Sequence, residues 1–302
     1  MATPHGIFPM LYAFFDSDNR LDPAAFRRQI DVCIAAGCHG IAILGLITEV
    51  KALSPAERET LVRWAVADIA GRVPLMATIV GSTLAEVRQL AAAAEADGAS
   101  YLILQPPLGQ RPASGELLEF YSAAMSGIRV PVGIQNAPEF LGVGLGPNEV
   151  ATLCGRHANF TLMKGEGPVV QVKPFVDALA DRLVVFNGRG GLELPDNLLA
   201  GCAGMIPAPD CADLQIALFN AFAAGDLAEV ERLYARILPY VVFAMQTLDV
   251  AILYGKRMFV RRAGINNAGD CRVPALTADP FFEAALERWS KSFGPYGSTI
   301  SL

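Results

Sequence analysis

The chain has 302 residues, 53% of them hydrophobic and 18% charged, with a formal net charge of −6. That size suits one large domain, and the acidic balance leaves no basic footprint for nucleic acid, although a small anionic substrate stays open because a site's field need not follow net charge. No apolar run reaches the roughly 18 residues of a membrane span, and the N-terminus lacks the basic and apolar pattern of a secretion signal, so a cytoplasmic location is expected.

Eight short apolar runs follow one another at 6–14, 40–44, 73–80, 100–105, 130–136, 160–164, 183–187 and 204–207. They are mostly apolar rather than alternating, as parallel strands buried on both faces are. Amphipathic segments separate them. Asp22 and Pro23 supply an N-cap and a first-turn proline. Phe26, Ile30, Cys33 and Ile34 then share a face, and Gly37 ends it. Ser54-Pro55-Ala56-Glu57 has the form of a capping box, with Leu61, Trp64, Ala65 and Ile69 on one face behind it. Further helices are predicted over 84–96, 115–126, 147–156, 169–180 and 192–200. Strand and helix repeated eight times predict an α/β fold, the (β/α)8 TIM barrel. From Asp210 the pattern turns helical, and segments 214–224, 227–244 and 250–262 predict about three additional C-terminal helices. The expected division is a barrel over 1–210 and a helical extension over 211–302 packed on it. The tail from Gly294 is rich in Gly and Ser and is expected to be loosely held.

Six cysteines at 33, 38, 154, 202, 211 and 271 form no Cys-x-x-Cys pair, and His5, His39 and His157 stand apart. No metal site and no disulfide is expected from such spacing. Chemistry in a barrel lies at the C-terminal strand ends. Lys164 is the only lysine at those ends, closing Phe160-Thr161-Leu162-Met163-Lys164. Burial disfavours a charged ammonium, and a neutral amine attacks a ketone to form an imine; the alternative is a surface-loop lysine. Glu166 follows two residues on, on the same side of an extended chain. A carboxyl there could move protons at C3 and at a leaving oxygen, or be a solvated loop group. Gln135 and Asn136 end the fifth strand, where their amides could hydrogen-bond a substrate or satisfy loop backbone, without acting as acid or base. In Gly45-Leu46-Ile47-Thr48-Glu49 the backbone N–H groups of Gly45, Leu46, Ile47 and Thr48 could hold a carboxylate with the Thr48 hydroxyl helping. For Glu49 a structural hydrogen-bonding role is expected.

These motifs together resemble the dihydrodipicolinate synthase / N-acetylneuraminate lyase family of class I aldolases and dehydratases, over residues 6–262. Gly6-Ile7-Phe8-Pro9 resembles the family's opening. Leu44-Gly45-Leu46-Ile47-Thr48-Glu49 stands where the family has Gly-Thr-Thr-Gly-Glu or Gly-Ser-Thr-Gly-Glu, and Ile134-Gln135-Asn136-Ala137-Pro138 at its Tyr-Asn-x-Pro. Met163-Lys164 is similar to its imine-forming position, and Ala223-Ala224-Gly225-Asp226-Leu227 to its linker between C-terminal helices. The resemblance implies a small 2-keto acid substrate, no metal or organic cofactor, and a homo-oligomer of two or four chains.

The departures carry as much as the matches. Leu46-Ile47 replaces the family's carboxylate-binding hydroxyl pair, Gln135 its strand-five tyrosine, and Leu108 falls near the tyrosine that completes the synthase's relay. Phe140 aligns with the arginine that grips the synthase's second substrate. Dihydrodipicolinate synthesis is therefore not expected. Gln135-Asn136-Ala137-Pro138 and Lys164-Gly165-Glu166 resemble instead the L-2-keto-3-deoxyarabonate dehydratase subgroup, with Asn136 in place of Asp. The leading expectation is a 2-keto-3-deoxy sugar acid dehydratase, with Lys164 forming the imine, Glu166 moving protons, residues 45–48 holding the C1 carboxylate, and Gln135 and Asn136 orienting hydroxyls. The alternatives are a pyruvate-releasing aldolase or hydratase-aldolase, and a keto-acid-binding barrel without turnover.

Overall fold

The apolar runs pair side by side into one sheet of eight parallel strands, buried almost throughout. The computed structural model describes residues 3–179, 181–272 and 276–298. In chain order these form β1 (Gly6–Ile7), α1 (Pro23–Ala35), β2 (Ile41–Ile43), α2 (Pro55–Ile69), β3 (Leu75–Ile79), α3 (Leu84–Asp97), β4 (Tyr101–Leu104), α4 (Ser114–Met125), β5 (Val132–Asn136), α5 (Pro138–Leu141), α6 (Pro147–Arg156), β6 (Phe160–Gly165), α7 (Val169–Leu179), β7 (Val184–Asn187), α8 (Leu194–Leu199), β8 (Gly204–Met205), α9 (Ala212–Ala223), α10 (Leu227–Ala244), α11 (Leu248–Ala263) and α12 (Pro280–Phe293). The sheet order β1-β8-β7-β6-β5-β4-β3-β2 is closed by a parallel bridge between Met10 and Ala42. There Leu11 N–H donates to Ala42 O at 2.8 Å and Ala42 N–H to Pro9 O at 2.9 Å. The fold is the TIM barrel with C-terminal helices that the pattern predicts.

Strand side chains alternate between two cores, as the period of two requires. Phe8, Met10, Met76, Ile103, Leu162 and Phe186 belong to the cluster inside the barrel. Their neighbours Ile7, Leu75, Ala77, Leu104, Met163 and Val185 join the larger core beneath the helices. Each such side chain removed from water contributes about 1.5–3 kcal/mol, so the register is strongly specified. The helix starts follow the sequence signals. The Asp22 carboxylate accepts the Ala24 and Ala25 N–H groups, each at 3.0 Å, and Ser54 and Glu57 form the reciprocal capping box.

Three expectations are corrected. The first run pairs only over Gly6–Ile7 and at Met10, not along 6–14, because the chain leaves the sheet for a turn at Asp16–Arg20. A fourth helix, α12, follows the three expected, capped by Asp279 through Phe281 N–H and opened by Pro280. The tail is held as far as Ser298: Arg262 Nε donates to Gly294 O at 2.9 Å, Gly297 N–H donates to Asp213 Oδ2 at 3.0 Å, and the Tyr296 ring packs 5.0 Å from that of Phe259. The ends of two predicted segments, Ala180 and residues 299–302, lie outside the described residues. Helix α9 packs on β1, and α10, α11 and α12 follow it. Among the described residues no helix is long and apolar enough to cross a membrane.

Candidate active site

The barrel interior determines which strand-end residues meet. Continuing the inward alternation by one step takes Ile103 to Gln105, Gly133 to Gln135, Leu162 to Lys164 and Phe186 to Gly188. The pairing does not stop at the end of β6. Glu166 N–H donates to Asn136 O at 2.9 Å and Gly188 N–H to Gly165 O at 3.1 Å, so the chain stays extended through Gly165. Glu166 therefore faces inward with Lys164, and Nζ stands 2.9 Å from Oε1 with both side chains buried. An unpaired charge at this depth would be strongly unfavourable; the pair is neutral as a unit.

A ladder of amides holds the other carboxylate oxygen. Gln105 Nε2 donates to Gln135 Oε1 at 2.6 Å, and Gln135 Nε2 donates to Glu166 Oε2. Tyr121 hydroxyl donates to the Gln135 backbone carbonyl at 3.3 Å, and burial holds this phenol well above its usual range. Oε2 accepts from the Gln135 amide and Oε1 faces the Lys164 amine, so the carboxylate is held at both oxygens with Oε1 beside the amine nitrogen. Gly188 makes this possible, since a Cβ there would stand 2.4 Å from Glu166 Oε1 and 2.5 Å from Lys164 Cε.

Above the pair opens a pocket walled by Met10, Leu46, Ile47, Phe140, Met245 and Leu248. Leu46–Thr48 form a single 3-10 turn between two left-handed residues, Leu44 (φ 63°) and Glu49 (φ 58°). Such positions cost on the order of 1–3 kcal/mol each and persist only where the surroundings enforce them. Here Glu49 is ion-paired with the fully buried Lys256 and accepts Arg272 N–H at 2.9 Å. Gly45 N–H points at Met10 Sδ, 3.1 Å away. Among the described residues the Leu46 and Ile47 N–H groups, the first of the turn, have no acceptor.

Thus Lys164, Glu166 and Gln135 come together, and Leu46 and Ile47 line the same pocket. Three expected ligand groups do not join them, the first being the Gly45 N–H, which is taken up by Met10 Sδ. The Thr48 hydroxyl is fully buried and donates to Leu11 O at 2.7 Å, locking the turn from behind. Both ends of the Asn136 amide are bound to Leu145, as donor to its carbonyl at 2.9 Å and acceptor from its N–H at 2.8 Å, because Asn136 alternates to the outer side of β5. Gln135 is engaged at both ends and braces Glu166 instead of presenting a free amide. Gln105, Gly188 and Lys256 were not singled out from sequence. A glutamine closing an apolar run and a lysine inside an apolar helical stretch were the available signals. Among the described residues no group of three His, Cys, Asp or Glu side chains could hold a metal ion.

Fold and site together define a (β/α)8 barrel with a buried amine–carboxylate pair at its C-terminal mouth, where barrel enzymes work. The model of the dihydrodipicolinate synthetase family matches residues 3–288, and the chain belongs to that family, whose members are lyases. A 4-hydroxy-tetrahydrodipicolinate synthase of Xanthomonas campestris is 33% identical over 202 residues, 67% of this chain and 66% of that protein, just under two thirds of its length. YjhH of Escherichia coli K12, named as a probable 2-dehydro-3-deoxy-D-pentonate aldolase, is 27% identical over 254 residues, 82% of this chain and 84% of its own. Among solved structures, YagE of Escherichia coli K12, a protein of the dihydrodipicolinic acid synthase family in complex with pyruvate, superposes with a TM-score of 0.89 at 23% identity, covering 97% of this chain and 99% of that one.

Proposed function

We propose that the protein is an imine-forming hydro-lyase that dehydrates a 2-keto-3-deoxy acid carrying a hydroxyl at C4. The Lys164 amine adds to C2 and water leaves, giving the imine. The Leu46 and Ile47 N–H groups receive the C1 carboxylate. Glu166 Oε1 takes a proton from C3, giving the enamine, and returns it to the C4 hydroxyl, which departs as water. Hydrolysis of the conjugated imine frees the lysine and releases the dehydrated keto acid. The observation that carries this reading is the 2.9 Å Nζ–Oε1 pair, with Oε2 occupied by Gln135. It sets a carboxylate oxygen next to the atom that becomes the imine, as stepwise acid–base work requires. A sugar acid of the L-2-keto-3-deoxyarabonate kind is a hydroxylated member of this substrate class.

Borohydride reduction in the presence of a 2-keto acid, followed by intact-mass and peptide analysis, tests the first half. The adduct is expected on Lys164 and should vanish in Lys164→Ala. Glu166→Gln tests the second half, with adduct formation kept and turnover lowered by about 10²–10⁴-fold. Full turnover by Lys164→Ala would end the proposal. The name of the YjhH relative favours a second reading, carbon–carbon cleavage with release of pyruvate. Product analysis separates the two, since only the aldolase yields pyruvate.

A further inference from the structure

Resting on that reading, we infer that the substrate's chain beyond C4 is hydrocarbon, an alkyl or aryl group, rather than a run of hydroxylated carbons. Lys164 and Glu166, assigned with the Leu46 and Ile47 N–H groups to C1 through C4, are the polar side chains that line the pocket. The rest of the wall, Phe140, Ile206, Ala208, Met245, Leu248 and Ala251 with Met10 and two glycines, offers no side-chain hydroxyl, amide or charge. The polar side chains at neighbouring strand ends are already engaged. Gln135 bridges Gln105 and Glu166, and Asn136 holds Leu145. Asn187 Nδ2 donates to Gly167 O at 2.9 Å and to Asn197 Oδ1 at 2.8 Å, while its Oδ1 accepts Arg189 N–H at 2.8 Å. The Arg189 guanidinium at the rim is paired with Glu139 at 3.3 Å and Glu193 at 3.5 Å. The Asp210 carboxylate, just past the eighth strand, accepts the Tyr240 hydroxyl at 2.6 Å.

A hydroxyl at C5 or C6 would leave water for a wall with no side-chain partner among the described residues. An unsatisfied buried hydroxyl loses about tenfold or more in affinity. A methylene in the same place gains about fourfold. Discrimination of this kind, by a wall that leaves polar atoms unpaired, needs no steric block.

The test measures binding through the trapped lysine, so it does not depend on turnover. The protein is reduced with borohydride over a concentration series of 2-oxohexanoate or of its 5,6-dihydroxy analogue, and the Lys164 adduct is quantified by intact mass. The half-saturating concentration of the dihydroxy acid is expected to be at least about tenfold the higher. Ala208→Ser, which places a hydroxyl in the wall, should narrow that ratio severalfold. Equal half-saturation, or preference for the dihydroxy acid, overturns the assignment of the tail while leaving the imine intact. An adduct with neither acid overturns the imine and the tail assignment together.

Discussion

Gly188→Ala isolates the contact on which the amine–carboxylate pair depends. Gly188 does not have a positive φ, so alanine suits its backbone and the substitution adds only a methyl group. That methyl would lie 2.4 Å from Glu166 Cγ, 2.4 Å from Oε1 and 2.5 Å from Lys164 Cε, where ordinary contact begins at 3.4 Å. The atoms it meets are side-chain ends, so Lys164 and Glu166 give way and the barrel does not. Each must retreat by about 1 Å, a displacement that costs on the order of 10²-fold when it misplaces reacting groups. The expected outcome is a fall of about 10²-fold in the rate of borohydride-trapped adduct formation and in turnover, with a thermal midpoint close to that of the parent protein. Single-turnover trapping by quenched mass spectrometry and a thermal melt supply the two readouts. A variant that melts normally and reacts within threefold of the parent would refute the claim that the spacing of this pair sets the chemistry. An equal loss of fold and rate would instead make Gly188 a packing position.

Gln105→Leu should leave Gln135 Oε1 without its donor, lowering unfolding free energy by about 1–3 kcal/mol in urea titration; because Glu166 loses its brace, the pH–rate profile should move while adduct formation persists. Lys256→Met leaves Glu49 buried without its counter-charge, and a loss of about 3–5 kcal/mol in denaturant unfolding is expected, together with weaker binding of the keto acid carboxylate as the Leu46–Thr48 turn loosens. His39 gives the pH prediction. Burial lowers its pKa below the ordinary 6.5, helped by His5, and its Nδ1 accepts Ile7 N–H at 3.2 Å, which requires the neutral ring. The stability this contributes is complete above pH 6.5 and is lost as the pH falls through 6.5 toward the lowered value, since the unfolded chain takes up the proton first. Urea midpoints at pH 7.5 and 5 should fall more steeply in the parent than in His39→Gln, and equal slopes would remove His39 as the cause.

How much of this was legible in the sequence follows from the period of the signal. The strands run apolar on both faces, so eight short Val-, Ile- and Leu-rich runs between capped helices sufficed to place the barrel. Once the strand ends were placed, the alternation of side chains put Lys164 and Glu166 on one side, and the 2.9 Å contact follows that spacing. The same rule sends Gln135 inward and Asn136 outward, so the two adjacent amides do different work. Gln105 lay at a strand end but had no neighbour in sequence to mark it, because its partner Gln135 is thirty residues away. Lys256 and Glu49 are separated by 207 residues, and no local pattern predicts such a pair. The helix α12 was missed for a different reason. Its Asp279–Pro280 start repeats the Asp22–Pro23 signal of α1, but residues 263–278, without an apolar period, separate that start from the end of the 250–262 segment.

Amides rather than hydroxyls brace Glu166, and this changes what the site can do with a proton. A hydroxyl both donates and accepts, so a chain of hydroxyls can pass a proton along by reorienting. An amide cannot, because its nitrogen only donates and its oxygen only accepts. The ladder from Gln105 through Gln135 to Glu166 therefore has one direction, ending on Oε2, and carries no proton to solvent. On the proposed mechanism every proton removed from C3 has to remain on Oε1 until a nearby oxygen accepts it. Dehydration supplies that acceptor at the next carbon, the departing C4 hydroxyl. Aldol cleavage takes its proton from the C4 hydroxyl and must deliver it to the enamine carbon after the aldehyde has moved away. On the proposed mechanism a site with Glu166 as its acid–base carboxyl suits the first sequence, and the product, a dehydrated keto acid or pyruvate, decides between the two readings.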